Sequence, residues 1–330
     1  MDQLISRFTA QLKEAMTIGA SASIQKHTHP IHQVYVSGLG GSGIGADFVS
    51  SFVQKECSIP YLVGKGYGIP AYVDQNTLFI ASSYSGNTEE TRSSFAIAEK
   101  TEAKIVVVSS GGTLIERAKE KGYDYIQVPG DWPSPRACLG YSVVSQLFVL
   151  QHLGLISPKA IEEIAHSIQL LDNETEEIQA KAKHIANFLF KKIPVIYIEG
   201  RMEPVAVRWR QQINENAKAL GWHHVIPEMN HNELVGWREK YPNLAVIYLR
   251  NSDDFSRNAI RMDINKEIIS KYTDTIIEVH SKGESLIQKA MYLVHLGDWV
   301  SWYLCQLRGM DSMEVHVIDY LKSELAKVPE

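Results

Sequence analysis

The chain has 330 residues, 45% of them hydrophobic, and a formal net charge of -5. This length exceeds what one hydrophobic core usually organises, so two domains are expected. Lysine and arginine are scattered along the chain, without the cluster that gives a DNA-binding or RNA-binding protein its basic face. We therefore expect no nucleic acid partner.

The start of the chain and its cysteines indicate where the protein works. Met1 to Phe8 contains acidic and polar residues in place of the basic and apolar regions of a signal peptide. The apolar stretch from Leu286 to Leu307 contains Lys289, His295 and Asp298, which favours a buried helix over a membrane span. The three cysteines are far apart and suit neither a disulfide framework nor a zinc site. We expect a cytoplasmic protein without a membrane partner.

The first half of the chain alternates short β-branched runs with segments of helical periodicity. This alternation predicts parallel strands joined by crossover helices, which form a doubly wound sheet. The predicted strands are Gln33 to Ser37, Pro60 to Val63, Leu78 to Ser82, Lys104 to Ser109 and Tyr125 to Val128.

Two turns in this half are suited to binding phosphate. Gly38 to Gly43 follows the first strand, and Ser83 to Thr88 follows the third. Glycines allow an anion to approach the open amides at a helix N-terminus, and hydroxyls add neutral donors. Without a nearby P-loop lysine, the pattern favours a sugar phosphate over a nucleoside triphosphate. The predicted phosphate ligands are Gly41, Ser42, Ser83, Ser85 and Thr88.

Each of the two turns has an alternative interpretation. Gly38 to Gly43 also matches the dinucleotide-binding pattern, but no ribose-binding acid ends the second strand; Lys65 there leaves only a 2'-phosphate variant open. The hydroxyls before Glu89 and Glu90 would also suit a plain helix N-cap. Four hydroxyls in six residues exceed what capping needs, so we favour ligand binding.

The remaining motifs of the first half are a possible third wall and an arginine loop. Ser110 to Thr113 follows the fourth strand and is placed to extend the phosphate site. Pro133 to Arg136 holds Arg136 in a loop stiffened by prolines, where its guanidinium could stabilise negative charge on a substrate oxygen. A surface salt bridge is the alternative role for Arg136.

The second half repeats this architecture after a helical, charge-rich connector from Ser157 to Lys192. We predict domains of residues 1–153 and 154–330, each a doubly wound, flavodoxin-like parallel sheet of the α/β class. The predicted strands of the second domain are Pro194 to Glu199, His224 to Pro227, Leu244 to Leu249 and Thr275 to Val279.

Two polar segments of the second half carry candidate catalytic residues. Glu215 lies three residues before Lys218 on a predicted helix, which by itself indicates an exposed ion pair. The segment from Pro227 to Glu233 holds His231 among other polar residues. A metal site could be imagined from the five residues His223, His224, Glu228, His231 and Glu233, but the usual pair of histidines one helical turn apart is absent. We expect no metal.

Five motifs together resemble the bifunctional phosphoglucose/phosphomannose isomerase family, whose fold is of the sugar isomerase (SIS) type. They occur in the same order over both halves of the chain: Gly40 to Gly43, Ser83 to Thr88, Pro133 to Arg136, Asn214 to Lys218 and Asn230 to Glu233.

The resemblance implies a cytoplasmic isomerase that converts glucose 6-phosphate and mannose 6-phosphate to fructose 6-phosphate without metal or other cofactor. It implies that Glu215 is the base that moves a proton between C2 and C1, and that Arg136 stabilises the cis-enediolate. His231 resembles the ring-opening residue. Lys322 matches a C-terminal lysine that assists ring opening, although it also suits an exposed terminal helix.

The resemblance further implies a homodimer in which His231 enters the neighbouring subunit's site. Glucose and mannose 6-phosphates give the same enediolate, so one base can serve both if the substrate rotates about its C2–C3 bond. A non-catalytic sugar-phosphate sensor, or another SIS-type sugar-phosphate enzyme, is the alternative.

Overall fold

A computed structural model describes residues 1–328 of the chain. It contains nine strands: β1 Gln33–Ser37, β2 Tyr61–Gly64, β3 Thr77–Ser82, β4 Lys104–Ser109, β5 Asp124–Gln127, β6 Ile193–Glu199, β7 Trp222–Ile226, β8 Leu244–Arg250 and β9 Ile276–His280. Its α-helices are α1 Asp2–Ser6, α2 Phe8–Ser21, α3 Gly40–Val53, α4 Glu89–Ala98, α5 Gly112–Lys121, α6 Leu139–His152, α7 Lys159–Asn173, α8 Thr175–Leu189, α9 Glu203–Ala217, α10 Ser256–Ile269, α11 Leu286–Arg308 and α12 His316–Leu325.

The first five strands form one parallel sheet in the order β2-β1-β3-β4-β5. This is the flavodoxin-like order, in which the chain leaves β1 toward one edge and returns to β3 on its other side. All six residues of β3 are buried, as expected for a central parallel strand covered on both faces. The gap between β1 and β3 is the switch point at which such sheets bind ligands.

The last four strands form a second parallel sheet in the order β7-β6-β8-β9. It repeats the first sheet with one strand fewer, and its switch point lies between β6 and β8. The two central strands are again almost completely buried. The prediction of an α/β protein with two flavodoxin-like parallel sheets is therefore confirmed, with strand bounds displaced by one or two residues.

Internal contacts divide the chain into two units. The N-terminal unit contains Leu4–Thr175 and Ser281–Leu293, and the C-terminal unit contains Met1–Gln3, Glu176–His280 and the residues from Val294 onward. This division falls after α7 because the apolar face of α7 packs against α2 and α6. The domain boundary at residue 154 stays a prediction.

The apolar stretch near the C-terminus is the long helix α11, most of which is buried. Within residues 1–328, no helix combines the length and apolar character that crossing a membrane requires.

Candidate active site

The glycine turn after β1 leads directly into α3. Leu39 precedes the helix in an extended conformation and provides no side-chain cap, so the Gly40 and Gly41 amides at the start of α3 remain open toward a ligand. The Ser42 and Gly43 amides donate to the Leu39 carbonyl oxygen, both at 3.0 Å. A Cβ on Gly43 would lie 2.5 Å from the Gly38 carbonyl oxygen, so only glycine allows this tight turn. Ser42 is nearly buried within it. The predicted residues Gly41 and Ser42 thus lie in the first turn of a helix at the switch point.

The Ser/Thr loop from Ser83 to Thr88 connects β3 to α4. Gly86 has a φ of +69°, and a Cβ there would lie 1.8 Å from the Gly111 carbonyl oxygen. The Ser83 and Thr88 hydroxyls are 2.8 Å apart, and the Ser85 hydroxyl accepts a hydrogen bond from the Asn87 amide at 3.2 Å. The loop is held in shape by its own hydroxyls and by close packing on the next turn.

Thr88 precedes α4 without capping it, because its side chain accepts no hydrogen bond from the helix. Its hydroxyl pairs with Ser83 instead. The plain N-cap interpretation of these hydroxyls is therefore wrong for Thr88. The opening amides of α4 keep their capacity to donate hydrogen bonds to an anion.

The turn from Ser110 to Thr113 supports the Ser/Thr loop from behind. The Asn87 side chain accepts hydrogen bonds from the Thr113 amide and hydroxyl, both at 3.0 Å. The Ser110 amide donates to the Tyr84 carbonyl oxygen at 2.9 Å. Residues 110–113 do not line the pocket described in the next paragraph, although the preceding Ser109 does. The turn therefore supports the Ser/Thr loop and does not itself form a wall of the site.

A pocket of about 280 Å³ of empty space, part of it open to solvent, lies at the carboxyl edge of the first sheet. None of its lining side chains is charged. Hydroxyl and amide donors thus line a cavity without a carboxylate that would repel a phosphorylated sugar. The lining residues are Gly41, Ser42, Ser82, Tyr84, Val108, Ser109, Val128, Pro135, Cys138, Tyr141 and Ser142.

Arg136 lies in a short 3-10 turn, Pro135–Ala137, that packs against the glycine turn. A Cβ on Gly41 would lie 3.2 Å from the Pro135 carbonyl oxygen. Arg136 is 7% exposed, so it is not the solvated surface residue of the alternative interpretation. The structure thus brings the predicted arginine loop and the predicted glycine turn together in the N-terminal unit.

Glu215 lies in the last turn of α9, in the C-terminal unit, and is half-buried. Its helix is attached to α11 by a buried ion pair between Arg208 and Asp298, with contacts of 3.0 and 2.8 Å. Asn216, next to Glu215, donates a hydrogen bond to the Ser301 hydroxyl at 2.9 Å. Directional bonds of this kind fix the rotation of α9, and therefore the direction of the Glu215 side chain.

Lys218 ends α9 in a left-handed conformation. Its ammonium group donates to the Glu215 backbone oxygen at 2.5 Å and to the Glu314 backbone oxygen at 2.7 Å, and it lies 3.5 Å from the Glu314 carboxylate. The lysine that the sequence pairs with the Glu215 carboxylate is thus engaged with the end of its own helix and with Glu314.

The segment after β7 carries His231 in a 3-10 turn, Glu228–His231. Its polar neighbours hold one another: Asn232 accepts from His224 at 3.1 Å and donates to Glu228 at 2.8 Å. Glu233 accepts hydrogen bonds from the Tyr197 hydroxyl and, at 3.2 Å, from the Trp222 indole. Hydrogen bonds between side chains therefore stabilise the conformation of this segment.

His231 itself is exposed, and within residues 1–328 its ring has no hydrogen-bond or ion-pair partner. The other candidates for a metal site point to different partners, and among the described residues no group of three His, Cys, Asp or Glu side chains is arranged to hold an ion. His231 is thus an exposed side chain on a segment that hydrogen bonds between its neighbours stabilise.

The carboxyl edge of the second sheet is occupied by the protein's own charged groups. Glu199 ends β6 and lies 3.5 Å from Arg201, which donates to the Asp253 backbone oxygen at 2.9 Å. Asp254 accepts from the Asn251 amide at 2.9 Å. Burial, helped by the charge of Asp254, raises the pKa of Glu199 although Arg201 opposes the shift. Burial likewise raises the pKa of Asp254.

Lys322 lies on α12, a helix that buries none of its residues. Its apolar side chains are exposed to a degree unusual for a helix, with Val317 at 80% and Tyr320 at 67%. Lys322 shares this exposure. The amphipathic terminal helix that the sequence offered as the alternative context for Lys322 is present.

The structure divides the predicted site residues between the units. Gly41, Ser42, Ser83, Ser85, Thr88 and Arg136 are in the N-terminal unit, and Glu215, His231 and Lys322 are in the C-terminal unit. Of the predicted site residues, Gly41 and Ser42 line the pocket, whereas Ser83, Ser85, Thr88 and Arg136 are not among its lining residues. Tyr84, Cys138, Tyr141 and Ser142 also line it and were not predicted as site residues. Tyr84 lies inside the predicted loop, but no motif marks Cys138, Tyr141 and Ser142, which lie at or just before the start of α6.

Solved structures place this architecture in a class. A putative phosphosugar isomerase from Clostridium difficile superposes with a TM-score of 0.76 at 15% identity, covering 95% of this chain and 94% of that one. The fold is therefore that of the SIS-type phosphosugar isomerases. A family model described as the bacterial phospho-glucose isomerase C-terminal SIS domain matches residues 178–325.

Sequence relatives define the family. The bifunctional phosphoglucose/phosphomannose isomerase of Caldicellulosiruptor bescii is 38% identical over 100% of both chains. The protein of the same name from Aquifex aeolicus is 36% identical over 92% of this chain and 93% of its own. This chain belongs to the bifunctional phosphoglucose/phosphomannose isomerase family, as the five motifs predicted.

Proposed function

We propose that this protein is a cytoplasmic isomerase that interconverts fructose 6-phosphate with both glucose 6-phosphate and mannose 6-phosphate. The observation that carries the proposal is the uncharged, donor-rich pocket at the switch point of the first sheet. Family membership supplies the reaction class, because the relatives that span the whole chain are bifunctional isomerases by name.

The phosphate is held by the N-terminal unit in this proposal. The open amides of α3 and α4 donate hydrogen bonds to the three phosphate oxygens, together with the hydroxyls of Ser42 and Ser85 and one hydroxyl of the Ser83–Thr88 pair. These interactions are the same in the ground state and the transition state. They therefore determine KM and contribute little to kcat.

Proton transfer is assigned to Glu215. A carboxylate can remove the proton from C2 of the open-chain aldose and return it to C1, passing through a cis-enediolate. The attachment of α9 to α11 through Asn216 and Ser301 supports this role, because a base must keep its direction during the transfer. Arg136 stabilises the negative oxygen of the enediolate.

Ring opening is assigned to His231, with assistance from Lys322. The exposure of His231, and its lack of a partner within residues 1–328, support a role in the site of a second subunit. The exposed apolar residues of α12 support a homodimer, because a helix that buries nothing in its own chain gains most by packing on another copy.

The reaction is tested with purified protein that has been treated with a chelator and offered glucose 6-phosphate and mannose 6-phosphate separately. Formation of fructose 6-phosphate from both is the expected result. Turnover of one epimer alone would contradict bifunctionality. Binding of both sugar phosphates without turnover of either would replace the isomerase by a sensor.

The shared site is tested by mixing two variants, Glu215→Gln and His231→Asn, each inactive alone. If His231 acts in the neighbouring subunit, a hybrid dimer contains one native pair of Glu215 and His231. Half of the randomly assembled dimers are hybrids, so activity should return to about one quarter of the native value. No recovery after subunit exchange would show that His231 acts within its own chain.

A further inference from the structure

A glutamine far away in the sequence clamps the turn that carries Arg136. Gln11 lies on α2 and is 1% exposed. Its side-chain nitrogen donates to the Ala137 carbonyl oxygen, and its side-chain oxygen accepts from the Gly140 amide, both at 2.8 Å. Ala137 ends the arginine turn and Gly140 lies in the first turn of α6, so one amide group ties both sides of the junction.

The hydrogen bond between the Gly140 amide and Gln11 requires the two to approach closely, and only glycine at position 140 leaves room for that. A Cβ on Gly140 would lie 2.6 Å from the Gln11 side-chain oxygen, so any larger residue there would displace the amide. Glu14, one turn further along α2, accepts a hydrogen bond from the Tyr141 hydroxyl. The same face of α2 thus holds the arginine turn and a residue of the pocket wall.

The clamped turn lies against the phosphate-binding turn. The Pro135 carbonyl oxygen would be 3.2 Å from a Cβ on Gly41, and Pro135, Cys138 and Tyr141 all line the pocket. A displacement of the arginine turn would therefore change the distance from Arg136 to a substrate anchored by its phosphate. Misplacement of a charged group by about 1 Å can cost on the order of 100-fold in rate.

We propose that Gln11 is a positioning residue for Arg136. Its two hydrogen bonds fix the position of the turn Pro135–Ala137 relative to the glycine turn. The Arg136 guanidinium then contacts the enediolate oxygen and not the phosphate. This inference rests on the proposed role of Arg136 in the reaction. It assigns no contact between Gln11 and the substrate.

The test compares Gln11→Met, Arg136→Gln and the double variant, in the isomerisation of glucose 6-phosphate. Methionine matches the size of glutamine and removes both hydrogen bonds. We expect Gln11→Met to lower kcat about 10- to 100-fold, with KM and the inhibition constant of inorganic phosphate within about threefold of native. In the Arg136→Gln background, the same change should lower kcat further by less than about threefold, because the positioned group is already gone.

Gly140→Ala provides a second variant that leaves Gln11 in place, in case Gln11→Met does not fold. Its Cβ displaces the amide, and it should reproduce the loss of kcat at unchanged phosphate affinity. Thr77→Val is the matched control, because the Thr77 hydroxyl is fully buried and bonds to Asp74 at 3.0 and 3.1 Å, at the opposite end of β3. It should lower thermal stability without lowering kcat.

Three results would overturn the inference. The first is a kcat within about twofold of native in a folded Gln11→Met or Gly140→Ala protein while Arg136→Gln is impaired; the proposed function would then stand and only the inference would fail. The second is a loss of kcat from Gln11→Met that is equally large in the Arg136→Gln background. If Arg136→Gln itself has native kcat, the role of Arg136 fails and the inference fails with it.

Discussion

The two parallel sheets share a topology, and their switch points carry opposite chemistry. At the edge of the first sheet, between β1 and β3, the chain presents glycine and hydroxyl turns with open amides and a pocket without charged side chains. At the corresponding edge of the second sheet, between β6 and β8, it places Glu199, Arg201 and Asp254. One edge is open to an anion, and the other is occupied by buried carboxylates and the arginine that pairs with them.

Under the proposed function, the two copies of the fold have different roles in one reaction. The carboxylates of the second edge disfavour a phosphate there, because like charges repel and Arg201 is already engaged with Glu199 and Asp253. The candidate chemistry of the C-terminal unit lies elsewhere, at the end of α9 and in the segment after β7. In the proposed function the first edge binds the phosphate, and Glu215, His231 and Lys322 of the C-terminal unit are assigned to proton transfer and ring opening.

The largest effect is expected from Glu215→Gln, which removes the base and keeps the size of the side chain. We expect kcat for both epimers to fall about 10²- to 10⁴-fold. The inhibition constant of inorganic phosphate should stay within about threefold, because the phosphate turns are untouched. Steady-state kinetics with both substrates checks the prediction.

Glu203→Gln is the control for this change, since Glu203 lies at the other end of α9 and is largely exposed. It should keep native kinetics. Retained turnover in Glu215→Gln would contradict the assignment of proton transfer to Glu215 in the C-terminal unit.

A smaller but sharper effect is expected from Gly86→Ala, which tests whether the Ser/Thr loop holds the phosphate. The added Cβ would collide with the Gly111 carbonyl oxygen at 1.8 Å and would also strain a φ of +69°. We expect the inhibition constant of inorganic phosphate to rise at least about tenfold as hydrogen bonds to the anion are lost.

Gly154→Ala separates this collision from backbone strain. Gly154 has a φ of +73°, and a Cβ there would meet nothing within 4 Å. It should cost stability and leave phosphate inhibition unchanged. Equal phosphate inhibition constants in the two variants would argue against the loop as a phosphate site.

The local parts of the site could be predicted from the sequence, and the tertiary parts could not. The glycine turn and the Ser/Thr loop are contiguous segments whose chemistry follows from their own residues, so their place at strand ends was predictable. Gln11 meets its partners more than one hundred residues away. Nothing in the letters around Gln11 marks such a contact, and a single buried glutamine fits no motif.

The second edge escaped prediction for a related reason. Glu199 ends β6, and Asp254 lies in the loop after β8. An isolated acid in a sequence is most often a solvated surface residue. Only the pairing of β6 with β8 brings them to one edge, where burial raises both pKa values. The sequence did predict the parallel sheets, since their buried, β-branched strands are nearly continuous apolar runs.

The smallest effect is expected from Glu199→Gln, which tests whether the second edge carries buried negative charge. A carboxyl whose pKa is raised by folding binds its proton more tightly in the native state, so stability falls as the pH rises from the ordinary pKa through the raised one. The gain in thermal midpoint from Glu199→Gln should therefore grow as the pH rises from about 4, the ordinary pKa of glutamate, toward neutrality. Phosphate inhibition should not change.

Glu278→Gln should show the opposite trend. Burial acts against ionisation of Glu278, but Lys266 at 2.6 Å and Arg250 at 2.7 Å outweigh it and lower the pKa of this carboxyl. Stability is then lost on removing the charge at neutral pH, and the loss disappears as the pH falls through the lowered pKa. Parallel trends in the two variants would contradict the electrostatic contrast.

In the proposed mechanism one base, Glu215, transfers the proton in both glucose 6-phosphate and mannose 6-phosphate, each anchored by its phosphate. Because the epimers differ in the face of C2 that carries the proton, rotation about C2–C3 must present opposite faces of the enediolate to that base. The decisive measurement is the position of deuterium at C1 of fructose 6-phosphate formed at initial rate in D₂O from each aldose. A single base should place deuterium at one prochiral position of C1 from glucose 6-phosphate and at the other from mannose 6-phosphate. Deuterium at the same C1 position from both epimers would contradict a single base.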